Sequence, residues 1–299
     1  MYFSFWPSLS NPWDEVLDAS RHAAATGWDG VWVADHFMPN QADTSGPTSE
    51  VWTTLAALAV AVPRVRLGTL VCGNTYRNPA VLAKMAAGVD VISGGRAVLG
   101  IGAGWQENEH VAYGIPFYTI PERLQRLREA CQIIRSLFTE EKTTFHGKHY
   151  DVVDAPLAPK PVQRPLPLLI GGGGEKVTLR IAARYADEWN TWGSPSHLQR
   201  KIGVLEQHCA AVGRDPRSIR RSAQALLFLG DEPDVKERAK AAAPRPVIAG
   251  NVHEVREVVR QYAAAGVDEL IIPDFNLANG PEKRAVMDRF ITEVAPAFR

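Results

Sequence analysis

The sequence has no excess of charge of either sign: 33 Lys and Arg residues are matched by 33 Asp and Glu. That balance argues against nucleic acid or an anionic membrane as the main partner. No apolar run approaches the roughly 18 residues of a membrane span. The opening MYFSFWPSLSNPW has neither the basic n-region nor the apolar h-region of a secretory signal. Cysteine is scarce. Cys72, Cys131 and Cys209 are odd in number and far apart, which suits a reduced, cytoplasmic protein better than a disulfide framework. His-x-His, His-x-x-Glu-His and paired-Cys spacings are missing as well, so no metal site is expected. The glycine-rich stretches are not familiar nucleotide motifs. Trp105 and Lys176 stand where G-x-G-x-x-G would need glycine, and GGGGEK lacks the Gly-Lys-Ser/Thr of a P-loop. No Lys ends a strand-like run, which disfavours a Schiff-base aldolase.

What is present is an alternation. Short apolar runs at 3–6, 30–34, 65–71, 97–101, 166–170, 188–191, 222–229 and 269–272 are separated by longer stretches of helical period. The runs are continuous rather than alternating, as in strands buried on both faces. Asn11-Pro12 and Asn78-Pro79 read as helix starts with Pro at the first position, and Asn251 with Glu254 as a capping box. One helix is expected to turn Leu82, Met85, Val89 and Ile92 inward, another Leu124, Leu127, Cys131, Ile134 and Phe138. AAATGWDGVWV and AAAGVDELII echo each other, with ARYADEWN as a looser third copy. Eight strands alternating with helices, with recurring joints, predict a (β/α)8 TIM barrel, one domain over 1–299. An open doubly wound sheet is the alternative. Two stretches interrupt the pattern: a polar loop at 37–49, and a proline-rich insertion at about 139–167 that contains a small hairpin, TTFHGKHYDV. Both are long enough to be walls beside a site at the carboxyl face.

A barrel carries its chemistry at the carboxyl ends of its strands. The residues there are Asp35 and His36 after strand 2, Cys72, Gly73 and Asn74 after strand 3, and Ala103, Gly104 and Trp105 after strand 4. Gly171, Gly172, Gly173 and Gly174 follow strand 5, and Trp192 follows strand 6. The four glycines precede a helical stretch, where backbone N–H groups can bind an anion. The alternative is a tight turn only. His36 is the one histidine at a strand end, with Asp35 as a turn cap or a holder of its ring N–H. Cys72 lacks a base at a readable spacing and reads as a small core residue. Trp105 and Trp192 serve equally as barrel-top packing or as walls for a flat ring.

These residues resemble the bacterial luciferase-like superfamily of flavin and deazaflavin oxidoreductases. The likeness runs through GWDGVWVADHF, RVRLGTLVCGNTYRNPAVLAKMAAGVDVISGGRAVLGIGAGW, APLAPKPVQRPLPLLIGGGGEKVTLRIAARYADEWN and AAAGVDELIIPDF. Within it, the sequence looks most like coenzyme F420-dependent oxidoreductases of actinobacterial type. The resemblance implies a hydride transfer between coenzyme F420 and a small organic substrate, in a cytoplasmic enzyme that could pair as a homodimer. It implies contacts to the deazaflavin from Asp35 and His36, a non-proline cis peptide at Leu70-Val71 behind the ring, backbone contacts from Ala103, Gly104 and Asn108, and a phosphate on the strand 5 glycines. It gives His36 the catalytic role. Sugar-phosphate dehydrogenases of the superfamily carry an acid where this sequence has Trp105, which points to a different substrate. FMN users share the Gly-x-Gly-Trp pattern. An FMN-dependent monooxygenase and a non-catalytic flavin-binding barrel therefore stay open beside the F420 reading.

Overall fold

A computed structural model describes all residues, 1–299. Eight parallel strands form the centre: β1 (Tyr2–Trp6), β2 (Gly30–Val33), β3 (Arg66–Thr69), β4 (Ala97–Gly102), β5 (Leu168–Gly171), β6 (Glu188–Trp192), β7 (Arg220–Gln224) and β8 (Glu269–Pro273). Neighbours run β3, β2, β1, β8, β7, β6, β5, β4. The pairs Leu67–Ala97 and Gly68–Val98 then join β4 to β3 and close the ring. Closure removes the sheet edges that a doubly wound fold would leave, so the barrel expectation holds and its alternative falls.

The repeated joints have a physical basis. Gly27 and Gly266 end their helices at φ 104° and 91°, a backbone region that favours glycine. The aspartate that follows in each copy then accepts an N–H from the strand next door. Asp29 takes that of Phe3, Asp187 that of Leu168 and Asp268 that of Arg221, each at 2.8 Å. The echo therefore records one device used three times at the amino end of the barrel.

Two buried layers result. A cluster of 65 residues lies largely between strands and helices. A smaller one of Trp6, Trp32, Leu70, Val98, Leu169 and Ile271 fills the barrel interior. Trp32 has room only because Gly68 faces it: a Cβ there would lie 2.4 Å from the indole.

Helix starts follow expectation in two places. Asn78 accepts the Ala80 N–H at 2.9 Å, and Asn251 and Glu254 cap each other. Asn11 differs. It donates to Asp274 at 3.1 Å, and the helix Trp13–Thr26 begins without a side-chain cap. The helix Pro79–Ser93 also differs. It buries Leu82 and Val89 but turns Ile92 outward, because its inward face is built on Ala83, Ala86 and Ala87. The helix Ile120–Thr139 buries Leu127, Cys131, Ile134 and Phe138 as expected and leaves Leu124 only half-buried.

Two apolar runs are longer than the strands they contain. β3 stops at Thr69, the Leu70-Val71 peptide is cis as the resemblance implied, and Cys72–Gly73 rejoins the sheet beside β4. β7 stops at Gln224. Leu226–Leu229 leaves the barrel and pairs with Val247–Gly250, with the helix Val235–Lys240 between them. The hairpin is present as Lys142–His146 against Asp151–Pro156. It packs on the outer helix Ile120–Thr139, where Glu129 accepts the N–H groups of Lys148, His149 and Tyr150.

Candidate active site

A cavity of about 1210 Å³ opens at the carboxyl ends of the strands. Of the residues singled out in the sequence, Asp35, His36, Leu70, Val71, Cys72, Gly73, Ala103, Gly104, Trp105, Gly171, Gly172 and Trp192 line it. The 37–49 loop supplies Met38, Pro39, Asn40, Gln41 and Thr48 to the wall, whereas the hairpin supplies none. Two further contributors were not foreseen: Pro244, Arg245 and Pro246 from the extension after β7, and Asp274, Phe275 and Asn279 after β8. Reading 222–229 as one strand had hidden that extension.

Asn74, Asn108, Gly173 and Gly174 are not on the cavity wall. Asn74 is buried behind it and donates to the Tyr150 hydroxyl at 3.2 Å. Asn108 donates to the Pro39 carbonyl at 3.2 Å and accepts the Glu109 N–H, so it braces the 37–49 loop.

Val71 forms the floor. Its methyl groups would meet a Cβ on Gly102 at 3.0 Å and on Gly171 at 2.7 Å. Two glycines of the glycine-rich segments are thus explained by a neighbour inside the chain. Gly172 is at φ 123°, and its N–H and carbonyl are tied to the Asn190 carbonyl and the Trp189 indole, each at 2.9 Å. Close approach by a guest is therefore not needed to account for Gly171 or Gly172. The next residues behave differently. The N–H groups of Gly173, Gly174, Glu175, Lys176 and Val177 donate to nothing within the chain. They precede the helix Thr178–Tyr185. The buried Lys201 ammonium lies beneath them, 2.8 Å from the Gly173 carbonyl and from Glu175. Free N–H groups at a helix amino end are able to receive an anion, while the Lys201 charge is paired with Glu175.

After β2, His36 Nδ1 lies 2.9 Å from a Glu109 carboxylate oxygen, and the ring stands edge-on to Trp105 with centroids 5.5 Å apart. Nε2 has no partner in the chain, and His36 is half-buried at the cavity. Glu109 is fully buried. Burial opposes its ionisation, but donors from His36, the Phe37 N–H at 2.7 Å and the Tyr76 hydroxyl outweigh that and hold its pKa below the usual carboxylate range. Asp35 does not hold His36. It is buried in a two-pronged ion pair with Arg77, at 2.5 and 3.1 Å. Burial raises its pKa, with Arg77 opposing. Cys72 is fully buried, and burial followed by the nearby Asp35 lifts its thiol well above the ordinary value. It packs as a small buried side chain at the edge of the cavity.

Glu109 was missed because GWQENEH offers two glutamates, and nothing local says which turns inward. The short helix Glu107–Ala112 decides it. Glu109 and His110 are buried while Glu107 is exposed. The same segment fastens its surroundings: Gln106 donates to the Met38 carbonyl at 2.9 Å, and His110 Nε2 lies 2.6 Å from the Thr75 hydroxyl.

Fold and site define a (β/α)8 barrel enzyme with a carboxylate-bonded histidine at its cavity and a run of free backbone N–H groups beside it. The family model described as luciferase-like monooxygenase matches residues 3–266. The chain belongs to that family. It is 31% identical to an F420-dependent glucose-6-phosphate dehydrogenase of Kineococcus radiotolerans, over 95% of this chain and 93% of the relative. It is 30% identical to an F420-dependent hydroxymycolic acid dehydrogenase of Mycobacterium tuberculosis, over 84% and 68%. Among solved structures, an F420-dependent secondary alcohol dehydrogenase shares the fold, with TM-score 0.86, 23% identity and coverage of 100% and 99%.

Proposed function

We propose that this chain is an oxidoreductase that moves a hydride between coenzyme F420 and a small organic substrate. The observation that carries the reading is the row of free N–H groups at Gly173 to Val177, set between the cavity-lining Gly172 and Thr178, together with His36 at the same cavity with Nε2 unengaged. Both relatives quoted above are named for F420. The residues present fit such a cofactor. The N–H row suits its phosphate, and the Val71 floor gives its ring an apolar surface. Gln224 Oε1, buried without a partner at the cavity, offers an acceptor for a polar ring edge. The deazaflavin, when bound, supplies hydride chemistry at C5. Among the chain's own groups, His36 Nε2 gives or takes the accompanying proton. Trp105, 60% exposed at the mouth, walls the space beside His36. An aromatic wall there favours a substrate with apolar or flat surface over a sugar phosphate.

The test is a titration of the apo protein with F420 and with FMN. Micromolar or tighter binding of F420, with FMN weaker, is expected. The reverse order would move the protein to an FMN-dependent monooxygenase. Binding without turnover of any hydride donor or acceptor would leave a flavin-binding barrel. Three further assignments accompany this reading. Residues 1–299 form one barrel domain with the hairpin near 139–167 as an insertion, supported by a main core of 65 residues that reaches from Phe3 to Ala295. The buried, unpaired cysteines suit the cytoplasm. The helices Val51–Ala61 and Pro79–Ser93 leave Val60, Val81 and Ile92 exposed, which favours a homodimer through that face. Light scattering on the eluting protein tests the last point, and a monomer mass would refute it. No helix is long and apolar enough to cross a membrane.

A further inference from the structure

We propose that Glu109 is the positioning residue of His36: it holds the ring proton on Nδ1, turns the Nε2 lone pair to the cavity, and carries the counter-charge when Nε2 takes a proton. The inference rests on the preceding assignment of proton transfer to His36.

The geometry leaves Glu109 little other work. Its carboxylate is fully buried and makes no contact with Lys or Arg. All three of its donors come from residues around the site: His36 Nδ1, the Phe37 N–H and the Tyr76 hydroxyl. An ionised carboxylate can only accept, so the His36 Nδ1 must carry the hydrogen, which leaves Nε2 as the acceptor. A buried anion with no fixed cation beside it is an unusual expense for a fold. It becomes intelligible if its neighbour carries positive charge for part of a cycle. The step assigned to the pair is a proton transfer alone. A substrate O–H or N–H bond breaks and its electron pair stays with the substrate. The proton bonds to Nε2, and the imidazolium remains paired with the Glu109 carboxylate, which does not itself take the Nδ1 proton. The C–H bond of the substrate that breaks alongside would give its hydride to a bound cofactor, and the reverse reaction would return both.

A purely structural reading is available, since Glu109 also pins the chain at Phe37. Two measurements separate them. The first uses apo protein labelled with ¹⁵N-histidine, with His36 assigned by comparison with His36→Ala. Neutral His36 should show a single tautomer with hydrogen on Nδ1. Glu109→Met should release it to a mixture, whereas Glu109→Gln, which keeps an acceptor, should retain it. An unchanged tautomer in a folded Glu109→Met variant overturns the proposal. The second is turnover. Glu109→Gln should lower kcat toward the roughly 10²–10⁴-fold loss of a missing acid–base group, with KM and cofactor affinity little changed. Added to His36→Ala, it should lower kcat no further, because the two act as one unit. Independent, multiplicative losses would make Glu109 a structural brace and refute the assignment. The tautomer is read without any cofactor, so it stands or falls apart from the choice of F420. If Glu109→Met does not fold, the turnover cycle with Glu109→Gln decides.

Discussion

The substitution Gly171→Ala separates two explanations of the glycine run. If Gly171 is glycine because a guest comes close, the variant should fold normally and bind the cofactor poorly. The structure assigns a different cause. A Cβ at 171 would lie 2.7 Å from one Val71 methyl and 2.9 Å from the other, distances that real side chains do not adopt. Val71 is β-branched and stiff at χ1, so its methyl groups are not the free end of a flexible side chain. Overpacking of this kind costs about 1–3 kcal/mol. At the ~2–4 °C per kcal/mol usual for chains of roughly this size, the melting temperature should fall by about 2–12 °C. Val71→Ala removes both clashing methyls. The pair should therefore be strongly non-additive, with Gly171→Ala costing far less in a Val71→Ala background, by a coupling of about 0.5–3 kcal/mol. The assay is denaturant unfolding of the four proteins, followed by cofactor titration of each. Additive losses would refute the steric account. A normally stable Gly171→Ala protein with lost cofactor affinity would restore the guest as the cause.

Other consequences follow from the same geometry. His36→Ala should lower turnover by roughly 10²–10⁴-fold with a small change in cofactor affinity and melting temperature. Full turnover in a well-folded variant would remove the proton role. Gly173→Val should damage cofactor binding more than folding, because the branched side chain crowds the free N–H row, where a Cβ already meets Thr191 Oγ1 at 3.1 Å. Equal affinity in titration would reduce the run to turn-making. Asp35→Asn should act mainly on stability, because it breaks the buried pair with Arg77. The loss should stay below the roughly 3–5 kcal/mol of a fully broken buried pair, since Glu50 also holds Arg77 at 2.7 Å. A stability change near zero would contradict this. Glu109 has a depressed folded-state pKa. Its contribution is present above the ordinary carboxylate range and lost as pH falls through the lower folded value. The stability gap between wild type and Glu109→Gln should thus shrink on acidification below about pH 4; a gap that widens there would reverse the sign assigned.

The barrel was legible because its signals are local and repeated. Continuous apolar runs, glycine at helix ends and an aspartate before the next strand each act within a few residues. The Asp29, Asp187 and Asp268 contacts give that repetition a hydrogen-bonding cause. Where runs were read too long, the deciding fact was not local. Nothing in SAQALLFLG says that Gln224 is the last barrel residue and that Leu226 pairs with Val247 instead. The Ile92 face failed for a related reason. Large apolar residues were weighed above alanine, but a helix packed close to the strands buries its small residues and turns some large ones out.

The site was legible by position and not by partnership. Counting residues past a strand end located His36, Cys72, Gly104 and Gly171 at one cavity, and the resemblance added Val71. The same counting offered His36 only Asp35 as a partner, as a holder of its ring or as a turn cap, because the two are adjacent in sequence. A residue beside His36 in an extended chain points the opposite way, and Asp35 accordingly turns back to Arg77. The helper must come from an element facing His36, and the loop after β4 supplies it. That loop binds the 37–49 segment at Phe37, Met38 and Pro39 and the loop after β3 at Thr75 and Tyr76. Its short helix, only Glu107–Ala112, is too brief to be stable alone and is defined by these contacts. Three loops therefore fix one imidazole, and a change in any of them should reach His36 before it reaches the glycine loop.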